Sequence, residues 1–144
     1  SIFFDGDEFR NIFMNDINYT LNDRDKNAKR LTSLTKYLSD QNVNIIISAN
    51  ITSQRFRNWC RKNIKNYFEV FIDTSFDILL KRDYKSLYKK ALNKKIKNVV
   101  GVDLPFKKPT NPDLKITNNL SKKNLYNNYS IILKLIKKRK IKVY

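Results

Sequence analysis

The chain has 144 residues, 41% hydrophobic and 12% aromatic, which fits one folded domain and argues against disorder. Its net charge of +17 predicts attraction to anions, with nucleic acid and anionic nucleotides both open, although part of the lysine excess reads as solvated surface. No histidine and a single cysteine, Cys60, exclude a Ser/His triad, histidine base chemistry and an internal disulfide framework, and leave no zinc ligand set.

Ile2-Phe3-Phe4 reads as a short buried strand that stops on Asp5-Gly6-Asp7. Gly6 permits a turn that a residue with a Cβ would resist. Two carboxylates therefore leave a strand end together, at the edge where open α/β sheets bind ligands. Arg10 follows three residues after Asp7, on the same side if a helix starts here. Acid, acid and arginine at a strand end suit a metal-bound phosphate or a hydroxyl about to lose its proton. A polar turn with a capping aspartate is the plainer alternative.

Residues 11–22 are polar and irregular, and carry Phe13 and Tyr19. A helix is predicted from Asn22, with Asp23 near its start and Ala28, Leu31, Leu34, Thr35 and Leu38 at helical spacing. Arg24 and Asn27 stand near its N-terminus, where free backbone N–H groups favour anions. The apolar run Val43 to Ala49 predicts a strand buried on both faces. Ser53 caps a helix through Arg55, Phe56, Trp59, Cys60 and Ile64. Tyr67 to Ile72 is the next strand. Thr74 with Asp77 reads as a capping box for a short helix carrying Phe76, Ile78, Leu79 and Leu80 to Arg82-Asp83.

Residues 84–98 form a basic amphipathic segment, with Lys85, Lys89, Lys90, Lys94, Lys95 and Lys97 around Leu87, Tyr88, Ala91 and Ile96. Pro105, Pro109 and Pro112 mark a loop. Leu114-Lys115-Ile116 is a last strand. Residues 122–138 close the chain as a helix with Leu125, Tyr129, Ile132, Leu133 and Ile136 on one face, followed by a basic tail. Strands alternating with helices predict an α/β domain with a mostly parallel sheet. No apolar run approaches the roughly 18 residues of a membrane span, and no secretory signal or internal repeat is visible.

Asp5-Gly6-Asp7-x-x-Arg10, Arg24-x-x-Asn27, Arg82-Asp83-x-Lys85-x-Leu87-Tyr88-Lys89-Lys90-Ala91, Ile96-Lys97 and Gly101 follow one another in an order that resembles the adenylylsulfate kinases. The likeness runs along nearly the whole chain. It implies a P-loop kinase-like fold, a mostly parallel sheet flanked by helices with a basic lid over residues 84–98. It also implies transfer of the γ-phosphate of ATP to the 3′-hydroxyl of adenylylsulfate with Mg²⁺, by a cytoplasmic homodimer.

The resemblance assigns roles to matching residues. Asp5 and Asp7 are the acidic pair near the ribose 3′-hydroxyl and, indirectly, the Mg²⁺. Lys85 is a lid lysine near the transferring phosphoryl group, and completes the implied catalytic set. Arg10, Arg24 and Asn27 clamp the phosphosulfate end. Arg82, at the lid hinge, stacks on the ATP base. Tyr19, Asn50, Ile51, Thr52 and Val99 fall on the acceptor-base pocket. Arg10 and Arg24 as surface ion-pair partners, and Lys85 as one solvated lysine among many, are the plainer alternatives.

Three departures matter. No G-x-x-x-x-G-K-[ST] occurs, and Gly6 and Gly101 are the only glycines. A phosphate-cradling loop is expected about 20–25 residues upstream of the first strand. Residues 1–144 therefore read as a single P-loop kinase domain whose P-loop strand and helix lie outside this sequence; a chain that is not a competent kinase is the alternative, disfavoured by the intact acidic pair and lid. Secondly, the family's F-I-S-P reads Asn50-Ile51-Thr52-Ser53 and its F-T-G reads Val99-Val100-Gly101, while Tyr19 replaces a phenylalanine and keeps one stacking face. Thirdly, Tyr84 and Ser86 replace the proline and glycine of R-D-P-K-G. Two lost aromatic platforms and a gained amide describe a different base pocket. They fit a related bacterial branch that phosphorylates cytidine diphosphoramidate in capsule modification. A basic nucleic-acid-binding module is the rival of another class. The Asp5–Asp7 pair argues against it, because carboxylates in an anion cleft repel a phosphate backbone.

Overall fold

The computed structural model describes residues 1–14, 16–83, 85–119 and 123–139, with residues 123–126 described by their backbone alone. It divides into two compact units: Ser1–Tyr67 with Asn98–Lys108, and Phe68–Lys97 with the described residues from Pro109 onward.

The first unit runs β1 (Ile2–Asp5), α1 (Gly6–Ile12), α2 (Leu21–Asp40), β2 (Ile45–Ser48) and α3 (Gln54–Asn63). The long α2 carries the chain back before β2 starts, so the two strands run parallel. Their register pairs Ile2 with Ile45 and Asp5 with Ser48, which ends both strands at one edge. The predicted burial of these strands is only half correct. Phe4 meets the fully buried Phe9 edge-on at 5.7 Å. Phe3 and Ile46, register partners on the other face, stay 58% and 59% exposed. A run of apolar residues reports local preference, while burial depends on how many elements cover each face.

The buried face of α2 carries Asn27, Ala28, Leu31, Thr32 and Thr35, a stripe at helical spacing that packs towards α3 and its buried Arg57 and Cys60. The cap of α2 is Thr20, two residues before the predicted start. Asp23 N donates to Thr20 Oγ1 at 3.2 Å, and Thr20 Oγ1 donates to Asp23 Oδ2 at 2.7 Å. Asp23 thus has its predicted place in the first turn, as partner of the cap. Ser53 stands at the N-cap of α3 without a side-chain capping bond.

The second unit holds β3 (Val70–Asp73), α4 (Phe76–Arg82), α5 (Leu87–Leu92), β4 (Leu114–Thr117) and α6 (Lys123–Lys138). Val70 pairs with Leu114 and Asp73 with Thr117, again in parallel. The cap of α4 is Ser75, not Thr74, and the predicted capping box does not form. Ser75 N is instead held by Asn119 Oδ1 at 2.9 Å, a partner 44 residues away that no local pattern shows. Among the described residues of the basic segment only Leu87–Leu92 is helical, entered through Ser86 in the left-handed region (φ 54°). Leu125 lies among the residues described by backbone alone, and Tyr84 and residues 140–144 lie outside the described ones. Alternating strands and helices with parallel pairing give the expected α/β class. Among the described residues no helix is long and apolar enough to cross a membrane.

Candidate active site

The site is built at the edge where β1 and β2 end. Asp5 is the N-cap of α1: its Oδ1 accepts from the Asp7 amide at 2.9 Å and the Glu8 amide at 3.3 Å. The capping alternative therefore holds for one oxygen of Asp5 and does not conflict with a chemical role for the other. Asp7 sits in the first turn of α1, exposed, and no hydrogen bond or ion pair holds its carboxylate among the described residues. Gly6 between them is needed for closeness rather than for an unusual turn. A Cβ there would meet Ala49 Cβ at 3.0 Å and Ala49 Cα at 3.2 Å, so a side chain would push α1 off the end of β2.

Arg10, in the last turn of α1, is 6% exposed. Its Nη1 donates to the Asn18 carbonyl at 3.0 Å, and its guanidinium lies 4.5 Å from the centre of the Tyr19 ring. Arg24, in the first turns of α2, approaches the same ring at 5.5 Å. Its Nε donates to the Tyr19 carbonyl at 3.0 Å and its Nη2 to the Asn98 carbonyl at 2.9 Å. Burial first, and the neighbouring Arg10 charge second, hold Arg24 below its ordinary pKa; Tyr19, Asp7 and Asp103 pull the other way. A guanidinium stays charged regardless. Two cations at one half-exposed aromatic ring are thus held together at a Coulombic cost that a bound anion relieves.

Asn27 lies one turn beyond Arg24, buried, and its Oδ1 has no hydrogen-bond partner among the described residues. An unsatisfied buried acceptor costs about 1–3 kcal/mol and calls for a donor. Ile51 is half-buried, Asn50 exposed, and Thr52 buried. Val99 is 5% exposed, its amide donating to Asp103 Oδ1 at 2.6 Å, so its side chain packs inward. Sequence reasoning missed Asp103, which also accepts from the Asn98 amide at 2.6 Å, and the buried Arg57. Arg57 had a signal: it lies three residues before Cys60, on the buried face of its helix. A separate groove lined by Lys29, Thr32, Phe56 and Trp59 contains none of the candidate residues.

The family model described as adenylylsulphate kinase matches residues 1–117. The chain belongs to the adenylylsulphate kinase family. It is 39% identical over 133 residues to the cytidine diphosphoramidate kinase of Campylobacter jejuni, covering 92% of this chain and 76% of that one. It is 36% identical over 112 residues to a probable adenylyl-sulfate kinase of Pseudomonas aeruginosa, covering 78% of this chain but 52% of the relative. In three dimensions it superposes on the Mycobacterium tuberculosis APS kinase CysC in complex with AMPPNP and APS with a TM-score of 0.80, at 30% identity, over 93% of this chain and 80% of that one.

Members of the adenylylsulphate kinase family are phosphotransferases with a hydroxyl acceptor, and the donor set here fits that chemistry. Among the described residues no three acidic, cysteine or histidine side chains cluster as a metal cage. Mg²⁺ does not need one: it takes one or two carboxylates and completes its shell with water and substrate phosphates. Asp5 and Asp7 can supply that much. The remaining two candidates belong to the second unit. Arg82 Nη1 donates to the Asn118 carbonyl at 2.9 Å, and Lys85 is exposed beside the left-handed Ser86. Asp83 turns back on α5, accepting from the Lys89 amide at 3.0 Å. Burial pushes its carboxyl up, and the amides of Lys89, Tyr88 and Leu87 more than offset this, so it stays ionised as a cap.

Proposed function

We propose that this chain acts in an ATP-dependent kinase that phosphorylates the ribose 3′-hydroxyl of a modified nucleotide. The observation that carries the reading is the pair of guanidiniums at the Tyr19 ring, of which Arg10 stands one helix turn after Asp7 on the helix that Asp5 caps at a strand edge. Tyr19 offers a face to a base. Arg10 and Arg24 bind the anionic end of the acceptor and fix its orientation. The unsatisfied Asn27 Oδ1 accepts from a donor on the same ligand. Asp7, whose carboxylate makes no hydrogen bond or ion pair among the described residues, accepts or orients the 3′-hydroxyl proton as the oxygen attacks. Asp5 keeps α1 in place and lends its second oxygen to the same charge field. Lys85 offsets charge that develops on the phosphoryl group, and Arg82 stacks on the ATP base. Bound ATP with Mg²⁺ supplies the transferred phosphoryl group and neutralises its oxygens.

For the acceptor we propose cytidine diphosphoramidate. The Campylobacter jejuni relative supports it, and so does the chemistry of the pocket, where Asn50 is exposed and able to hydrogen-bond a base edge. Adenylylsulfate is the second reading, favoured by the Pseudomonas aeruginosa relative and the CysC complex. A cytoplasmic homodimer is the assembly we propose from the family resemblance alone. The class is tested by giving full-length protein γ-labelled ATP and both acceptors: label on the ribose 3′-oxygen is expected, and no transfer to either nucleotide contradicts the kinase reading.

The basic segment gives a second test. Residues 85–98 have Ala91 as their anchor on α5, whose first turn is held by the Asp83 carboxylate while Ser86 at the N-cap makes no side-chain capping bond. Few apolar contacts oppose opening, so bound phosphates should order the segment by neutralising its lysines. Amide exchange there is expected to slow when an ATP analogue and acceptor are added together. Unchanged exchange would make the segment a fixed surface feature.

A further inference from the structure

Arg57 stands mid-way along α3, and only 5% of it is exposed. A buried guanidinium is stable only when its donors are filled. Its Nη1 donates to the Ile51 carbonyl. Its Nε and Nη2 donate to Gln54 Oε1 at 3.1 and 2.7 Å. The same Nη2 reaches the Lys107 carbonyl at 3.2 Å, 50 residues along the chain.

These partners join two stretches. One is the loop after β2, which carries Asn50, Ile51 and Thr52. The other is Asn98–Lys108, which carries Val99. Arg24 pins the start of that second stretch through the Asn98 carbonyl, and Arg57 pins its end. Between the pins, the amides of Val102, Asp103 and Leu104 close on the Val99 carbonyl at 3.1–3.2 Å, and the Gly101 amide on the Leu104 carbonyl at 2.8 Å. One planar fork thus serves both stretches. A lysine, with a single ammonium, cannot reproduce that geometry.

We propose that Arg57 is a positioning residue that sets the shape of the acceptor-base pocket, and through it the choice of base. Only what the pocket binds rests on the kinase reading; the positioning role rests on the hydrogen bonds alone. Two readouts test it on full-length Arg57→Lys. Without ligand, the amides of Gly101 to Leu104 should exchange about tenfold faster, the loss of roughly one charge-assisted hydrogen bond, while those of α2 keep wild-type rates. Unchanged exchange at these amides, or equal acceleration in α2, overturns the proposal. In turnover, the ratio of kcat/KM between cytidine and adenosine acceptors should fall about tenfold with the KM for ATP unaltered. A lower kcat with an unchanged ratio means Arg57 only supports the fold, and also overturns it. Wild-type protein that phosphorylates neither acceptor defeats the kinase reading, and the exchange result then decides the positioning role. Should Arg57→Lys fail to fold, Gln54→Met removes one partner of the guanidinium and is judged by the same outcomes.

Discussion

Replacing Asp7 by asparagine in the full-length protein lowers kcat by about 10²–10⁴-fold, the usual range for losing a positioned acid or base. The fold survives, because the Asp7 carboxylate holds nothing in place. It is exposed, and among the described residues it makes no hydrogen bond or ion pair. What it gives α1 is a negative charge in the first turn, worth about 0.3–1 kcal/mol. The melting temperature should therefore move little while turnover collapses. Asp5 behaves differently. Its Oδ1 takes two backbone amides, so Asp5→Ala loses a cap worth about 0.5–2 kcal/mol as well as a charge. Asp5→Asn keeps the cap and isolates the chemistry. Near-native turnover in Asp7→Asn would remove Asp7 from the mechanism.

Arg24→Ala raises the KM for the acceptor about 10–150-fold, the equivalent of the roughly 1.5–3 kcal/mol of a charge-assisted hydrogen bond, and leaves the KM for ATP nearly unchanged. Arg24 is held below its ordinary pKa by burial first and by the Arg10 charge second, and an anionic ligand would offset both. The alanine variant loses that gain. It also frees the Asn98 carbonyl, which loosens the stretch leading to Val99. Arg24→Lys restores the charge without the fork, and its acceptor KM should lie between wild type and alanine. A change confined to the KM for ATP would reverse the assignment of the two nucleotide sites.

The strand-edge carboxylates were legible because the apolar run before Asp5 and the Asp-Gly-Asp that ends it are local patterns. The buried stripe of α2 was legible for the same reason: Ala28, Leu31 and Thr35 recur at helical spacing and all three are buried. Arg24 and Asn27 could be placed on one face from their spacing alone. What escaped depends on residues far apart in sequence. The Arg24 contact to Asn98 spans 74 residues and the Arg57 contact to Lys107 spans 50. Neither leaves a local trace. Val99 takes an aromatic family position in the base slot only by resemblance; its burial, and the hold of Asp103 on its amide, carry no local signal. Phe3 and Ile46 read as core, yet stay exposed, because hydrophobicity does not say which face a helix covers. Caps were placed to within a residue or two. Ser75 gained the role expected of Thr74 through a distant asparagine amide oxygen.

The most direct measurement is kcat/KM for the full-length protein with cytidine diphosphoramidate and with adenylylsulfate, at one saturating concentration of ATP with Mg²⁺. On the proposed reading, Tyr19 would stack any base, whereas Asn50 would supply a hydrogen-bonding group in place of an aromatic wall. Sites that read a base through such groups reject the wrong one strongly, because their own polar atoms are left unpaired. The cytidine nucleotide should be the better acceptor by tenfold or more, about 1.4 kcal/mol in transition-state binding. Adenylylsulfate winning by the same margin would contradict the account, and would place this chain with the sulfate-activating members of its family.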